Sequence, residues 1–212
     1  MPQLIDISPP VGSFTPVFPG DTAYRQEWLA RIAPGCPVNV SAITTTPHAG
    51  AHADAPLHYD DAGQPIGEVA LAPYIGPCRV VHALGVRPLV AWPDVAHALT
   101  GRGPVPPRVL VRTYERMPWG HWDPSLAGLE PALVERLADL GVQLVGTDSA
   151  SIDPADSKTL DSHQVIRRRG LRVLENLLLD HVPEGDYELI ALPLKLTQAD
   201  ASPVRAVLRN LD

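Results

Sequence analysis

Apolar positions in this chain come in short runs that alternate with polar residues, and longer helical patterns are few. The segment "VNVSAITTT" at 38–46 is β-branched and partly alternating, which predicts a strand ending at Pro47. Four further strands are expected at 78–84, 108–113, 142–148 and 187–194. A last one is expected in the tail 203–211, where Val204, Ala206 and Leu208 alternate with polar partners. Helices are predicted in three places. "WPDVAHALTG" puts Pro93 and Asp94 in a first turn and Gly101 beyond the end. "LEPALVERLADLG" spaces Leu133, Leu137 and Leu140 at helical intervals and closes on Gly141. The third lies within 157–170, with His163 on it or just before it. Strands separated by helices predict an α/β class, without a regular βαβ series because 24 scattered prolines interrupt it.

Composition narrows the function classes. At 212 residues the chain suits one domain, 1–212, with a sizeable core. A formal net charge of -7 argues against a nucleic-acid surface, and the short "IRRRG" cluster at 166–170 reads as a solvated helix end. Cys36 and Cys78 are far apart, which excludes a disulfide framework and thiolate zinc sites. The N-terminus has no basic flank followed by an apolar run, and no run reaches the roughly 20 residues that span a bilayer. A cytoplasmic protein without nucleic-acid or membrane partners is expected.

Candidate chemistry concentrates in "PHAGAHADAPLHYDDAG" at 47–63, which holds three of the eight histidines. The stretch follows a predicted strand end and reads as a Gly/Ala/Pro-rich loop, a common place for functional side chains. Imidazole and carboxylate suit zinc and other first-row divalent ions. His48, His52 and Asp54 are close enough in sequence to meet on one ion if the loop turns tightly, with Gly50, Ala51, Ala53 and Ala55 leaving room. Pro56 then sets the angle at which His58 projects. Two histidines four apart outside a helix also occur in ordinary exposed loops. The full spacing H-x₃-H-x-D-x-P-x-H is far more specific.

That spacing, with Gly50 between the first two histidines, resembles the signature of the cyclase-like metal-dependent hydrolases. Within them, the branch of bacterial kynurenine formamidases (arylformamidases) is similar nearly end to end, through "DISPP", "PGD", "PHAGAHADAPLHYD", "GPCRVVHALG", "DSKTLDSH" and "GDYELIALPLKL…DASPVRAVLR". The resemblance implies a swivelling β/β/α fold, usually dimeric. It also implies two divalent ions per subunit, zinc or else manganese. His48, His52 and Asp54 would hold one ion, and Asp54 would bridge to a second held also by His163 and Glu175. His58 would be the general acid/base. Without the resemblance, His163 and Glu175 read as surface side chains. The implied reaction is hydrolysis of N-formyl-L-kynurenine to L-kynurenine and formate, a step of tryptophan degradation. Phe18 stands where the branch usually has a substrate-contacting Trp, and Ala51 where many members have Thr.

The remaining histidines have ordinary readings. His82 is expected as a hydrogen-bonded strand residue, His97 and His181 as surface positions, and His121 in "PWGHWD" as lining a pocket or packing, with packing preferred. No G-x-S-x-G, H-E-x-x-H, Walker or Rossmann pattern competes, and "GRGPVP" at 101–106 reads as a turn. Two alternatives stay open: a related hydrolase acting on another amide or lactam, such as an isatin-type ring opener, and a non-catalytic metal-binding protein on the same scaffold.

Overall fold

The structure is a computed structural model that describes residues 3–211. The expected domain bounds include residues 1, 2 and 212, which lie outside the described residues. The chain begins with strand β1 (Leu4–Asp6), the ribbon strands β2 (Arg25–Ala30) and β3 (Val40–Thr44), and the short β4 (His52–Asp54). One helical turn, α1 (Pro56–Tyr59), precedes β5 (Ile75–His82), β6 (Leu89–Val90) and α2 (Trp92–Leu99). The middle continues through β7 (Arg108–Arg112), β8 (Gly128–Leu129), α3 (Pro131–Asp139) and β9 (Leu144–Thr147). Helix α4 (Asp161–Arg169) leads into β10 (Arg172–Glu175), β11 (Gly185–Ile190), β12 (Ala201–Pro203) and β13 (Val207–Asn210).

Nine strands form one curled mixed sheet in the order β1-β13-β11-β5-β7-β9-β10-β4-β12. Its centre, β5-β7-β9-β10, is parallel, and the flanking pairs are antiparallel. Period-2 alternation along the central strands divides the core. Val109, Val111, Val145 and Val173 face a cluster with Val95, Leu133, Leu137 and Val165 from the three long helices. Their neighbours Leu110, Leu144 and Leu174 face a second cluster shared with Leu189 and Leu208 from the far end of the sheet. The curl lets both ends of one sheet meet over one core, giving two sheet layers and a helix layer.

The predicted α2, α3 and α4 all form, with Gly101 and Gly170 in left-handed backbone just beyond two of them. The arginines at the end of α4 are exposed and pair with Asp60, Glu135 and Asp139, as expected of a solvated helix end. Two expectations need correction. The 187–194 strand stops at Ile190, so Leu192 and Leu194 are exposed instead of paired. The expected tail strand is divided between the end of β12 and β13, because the chain changes partner at Arg205. The Val204 amide still bonds the Ala51 carbonyl in register with β4, whereas the Ala206 carbonyl accepts the Ile7 amide in register with β1.

Candidate metal centre

His52 and Asp54 do not sit in a loop. They occupy β4, which lies between β10 and β12 and is fully buried. Alternation explains the composition: Ala51, Ala53 and Ala55 point into the core, while His52 and Asp54 point together to the other face. The alanines are small because they pack beneath the sheet, not because they make room for an ion. Ala51, the departure from Thr, is therefore buried on the side away from the histidines. His48 precedes the strand in a turn, and His58 follows it on α1.

The second half of the cluster comes from two other elements. Glu175 ends β10 directly opposite His52 in the antiparallel pair, so both side chains share one face. His163 lies in the first turn of α4. Both are buried, His163 to 1% and Glu175 to 3% exposure, which corrects the surface reading of those segments. Asp153 positions His163. Its carboxylate accepts the Ser162 and His163 backbone amides at 2.9 and 3.0 Å and the His163 Nδ1–H at 2.7 Å. It thereby supplies the N-terminal cap that Leu160 cannot provide and aims Nε2 of His163 at the centre.

The candidate ligand atoms converge. Asp54 Oδ1 is 3.1 Å from His48 Nδ1 and 3.3 Å from His52 Nε2, whereas Oδ2 is 3.4 Å from His163 Nε2. Glu175 Oε2 lies 3.4 Å from His52 Nε2, and Oε1 lies 3.5 Å from His163 Nε2. Glu175 Oε1 also accepts the Ile152 amide at 2.8 Å, and His52 donates Nδ1–H to the Gly50 carbonyl at 2.9 Å. Three residue groups could each hold a metal ion: His48 with His52 and Asp54, Asp54 with His163 and Glu175, and the more exposed His48 with His58 and Asp200. His52 Nε2 and Asp54 Oδ1 are buried with no hydrogen-bond partner among the described residues, although they are close neighbours. Leaving such atoms unpaired costs about 1–3 kcal/mol each, and a cation between them removes that cost. The imidazole and carboxylate donors fit a first-row divalent ion.

Electrostatics agrees with a site built for positive charge. Burial alone disfavours charge on every member. Even so, Asp54 and Glu175 hold the His52 ring up at about 10, and Asp153, followed by Asp54 and Glu175, raises His163 well above its ordinary value. The same histidines outweigh burial at Asp54, whose pKa is held well below the usual carboxylate range.

Above the cluster opens a cavity of about 270 Å³. Phe18 lines it and meets Trp122 edge to face, with ring centroids 5.3 Å apart. Met117, Trp119 and His121 line it as well. His121 is exposed on this wall, so of its two expected readings it takes the pocket-lining one and not the preferred packing one. The other histidines match their readings: His82 Nε2 is bound at the Val182 carbonyl, His97 pairs with Glu184, and His181 is exposed.

Comparison with known proteins settles the family. Residues 5–154 match the Cyclase family model, described as "Putative cyclase". The chain belongs to the cyclase family. Among similar proteins is the "Kynurenine formamidase" of Paracidovorax citrulli (strain AAC00-1), 71% identical over 209 residues, covering 98% of this chain and 97% of the relative. A solved structure described as "Potential Metal-Dependent Hydrolase With Cyclase Activity" superposes with a TM-score of 0.84 at 25% identity, covering all of both chains. An isatin hydrolase bound to thioisatinate gives a TM-score of 0.86 at 20% identity over 100% of this chain and 93% of that one, a likeness of fold.

Sequence reasoning missed two residues, Asp153 and Asp200. Asp153 is ten positions before its histidine, outside any local capping pattern. Asp200 precedes β12 and accepts from His48 Nε2 at 3.0 Å and His58 Nδ1 at 3.1 Å.

Proposed function

We propose that this chain is a kynurenine formamidase that hydrolyses N-formyl-L-kynurenine to L-kynurenine and formate with two divalent ions. The observation that carries the reading is the two-sided carboxylate of Asp54, whose oxygens face different histidines across one buried centre. In this reading His48, His52 and Asp54 hold one ion, and Asp54, His163 and Glu175 hold the other. Zinc is the expected metal, with manganese the second choice for the same donors. Bound ions supply an activated water and polarise a carbonyl oxygen.

The rest of the chemistry belongs to the chain. The apolar wall with Phe18 and Trp122 takes the substrate's aromatic ring and sets the formyl group over the cluster. His58 lines the same cavity and belongs to neither buried group; its grouping with His48 and Asp200 is the exposed one, and this reading gives His58 proton transfer. Imidazole is the side chain suited to both accepting and donating a proton near neutral pH. A non-catalytic metal-binding protein has no use for such a residue.

The reading extends to a single cytoplasmic domain over 1–212 and a homodimer. No helix among the described residues is long and apolar enough to cross a membrane. Among the described residues the ribbon β2–β3 pairs only with itself, and with its connecting loop it exposes Trp28, Leu29, Ile32, Val40 and Ile43, a surface suited to a second copy. Product analysis with N-formyl-L-kynurenine and isatin side by side tests the activity. Kynurenine and formate from the first substrate, with no ring opening of the second, is the expected result. The reverse pattern assigns the chain to lactam hydrolysis.

A further inference from the structure

We propose that Asp200 is a positioning residue for proton transfer: it fixes the tautomer and ring orientation of His58 while tethering the metal-binding ring of His48. The inference rests on the formamidase reading and concerns a residue that reading does not use.

The geometry is specific. A single oxygen, Oδ2 of Asp200, lies 3.0 Å from His48 Nε2 and 3.1 Å from His58 Nδ1. The two rings are tilted against each other with centroids 4.4 Å apart, so one carboxylate sits over both. Its position is set by backbone, because the Asp200 carbonyl accepts the Ala55 amide at 2.8 Å and Ala201 pairs with Asp54 across β12 and β4. The anchor is therefore strapped to the strand that carries Asp54.

An ionised carboxylate only accepts hydrogen bonds, so both facing ring nitrogens must carry protons. For His48 this leaves Nδ1, 3.1 Å from Asp54 Oδ1, as the lone-pair nitrogen toward the ion. For His58 it leaves Nε2 as the exchanging nitrogen, and Nε2 has no protein partner among the described residues. The proton balance follows. As the O–C bond forms, Nε2 takes a proton from the attacking water. As the C–N bond breaks, Nε2 returns that proton to the departing amine nitrogen. Nδ1–H stays on Asp200 throughout, and Asp200 stays ionised. Without it, the His58 ring is free to rotate or to adopt the tautomer that presents the wrong nitrogen.

The test uses Asp200→Asn and Asp200→Glu in the metal-loaded enzyme. Asp200 is half-exposed and its backbone contacts are unchanged by either substitution, so both variants are expected to fold. Asp200→Asn is expected to keep its metal content while losing kcat, by no more than the about 10²–10⁴-fold that acid/base catalysis contributes. The loss should shrink on formanilides with electron-poor rings, whose amine departs without a proton. It should also vanish in a His58→Ala background. Asp200→Glu should recover part of the activity. Nitrogen-15 NMR of the ring should report His58 protonated at Nδ1 in the wild type and altered in Asp200→Asn. Equal loss across all leaving groups, loss of metal with activity, or unchanged kcat would each overturn the proposal. If the wild type cleaves no formanilide, the formamidase reading fails instead. The NMR tautomer then decides the Asp200–His58 contact by itself, an Nε2-protonated ring ruling it out.

Discussion

His52 and Glu175 stand directly opposite each other on β4 and β10, with Nε2 and Oε2 3.4 Å apart at the bottom of the cavity. Strand pairing makes this contact, and it joins a segment near residue 50 to one near 175. With Asp54 two residues along β4 from His52 and on the same face, the pair defines a centre into which His48 and His163 reach.

Asp54 is the shared member, so its loss and that of Glu175 should differ. Asp54→Asn is expected to abolish metal at both positions, and Glu175→Gln to weaken mainly the second. Metal analysis by mass spectrometry checks this. Equal metal content in the wild type and Asp54→Asn contradicts a bridging carboxylate.

Metal affinity should rise with pH. In the ion-free chain the Asp54 and Glu175 carboxylates, opposed by burial, raise His52 from 6.5 to about 10. The proton it holds stabilises the ion-free fold fully below about pH 6.5, and that contribution is lost as pH climbs toward 10. A cation must displace the proton, so binding should release it throughout that window. Calorimetry in buffers of different ionisation enthalpy reads the release; a buffer-independent heat contradicts it.

Phe18 should govern substrate binding without touching the metal. It lines the cavity, and an aromatic contact of its ring with that of the substrate would contribute about 0.5–1.5 kcal/mol beyond area burial. Phe18→Ala is expected to raise KM about 2- to 13-fold on that scale, with metal content unchanged. Unaltered kinetics would assign Phe18 a packing role only.

Gly63 should be indispensable to the placement of His58. A Cβ there would lie 2.4 Å from the Pro56 backbone, so Gly63→Ala must displace α1. Overpacking typically costs about 1–3 kcal/mol. A lower Tm together with reduced kcat is expected, and wild-type values in both would show that α1 yields without cost.

Much of this was legible in the sequence, and the exceptions have physical causes. Long helices with capping prolines and terminal glycines, and β-branched strands, announce themselves locally. Strand β4 does not: Ala51-His52-Ala53-Asp54-Ala55 alternates with period 2, but alanine has weak strand preference and the motif's chemistry draws the eye to a loop. His48, His52, Asp54 and His58 are visible because one short segment carries them. His163 and Glu175 are chosen only by resemblance, since their burial arises from α4 and β10 meeting β4 in space. Asp153 and Asp200 leave no local signal, because each acts on a histidine brought to it by the fold.

The most direct measurement is formamidase activity followed against bound metal in one sample, from chelated protein through stepwise reconstitution with zinc. The account predicts no release of kynurenine and formate from N-formyl-L-kynurenine in the chelated protein, and full activity as the second equivalent binds. His58→Ala, carried through the same titration, should take up both equivalents and stay about 10²–10⁴-fold slower. Full activity in metal-free protein, or a His58→Ala variant that binds one equivalent fewer, would contradict it.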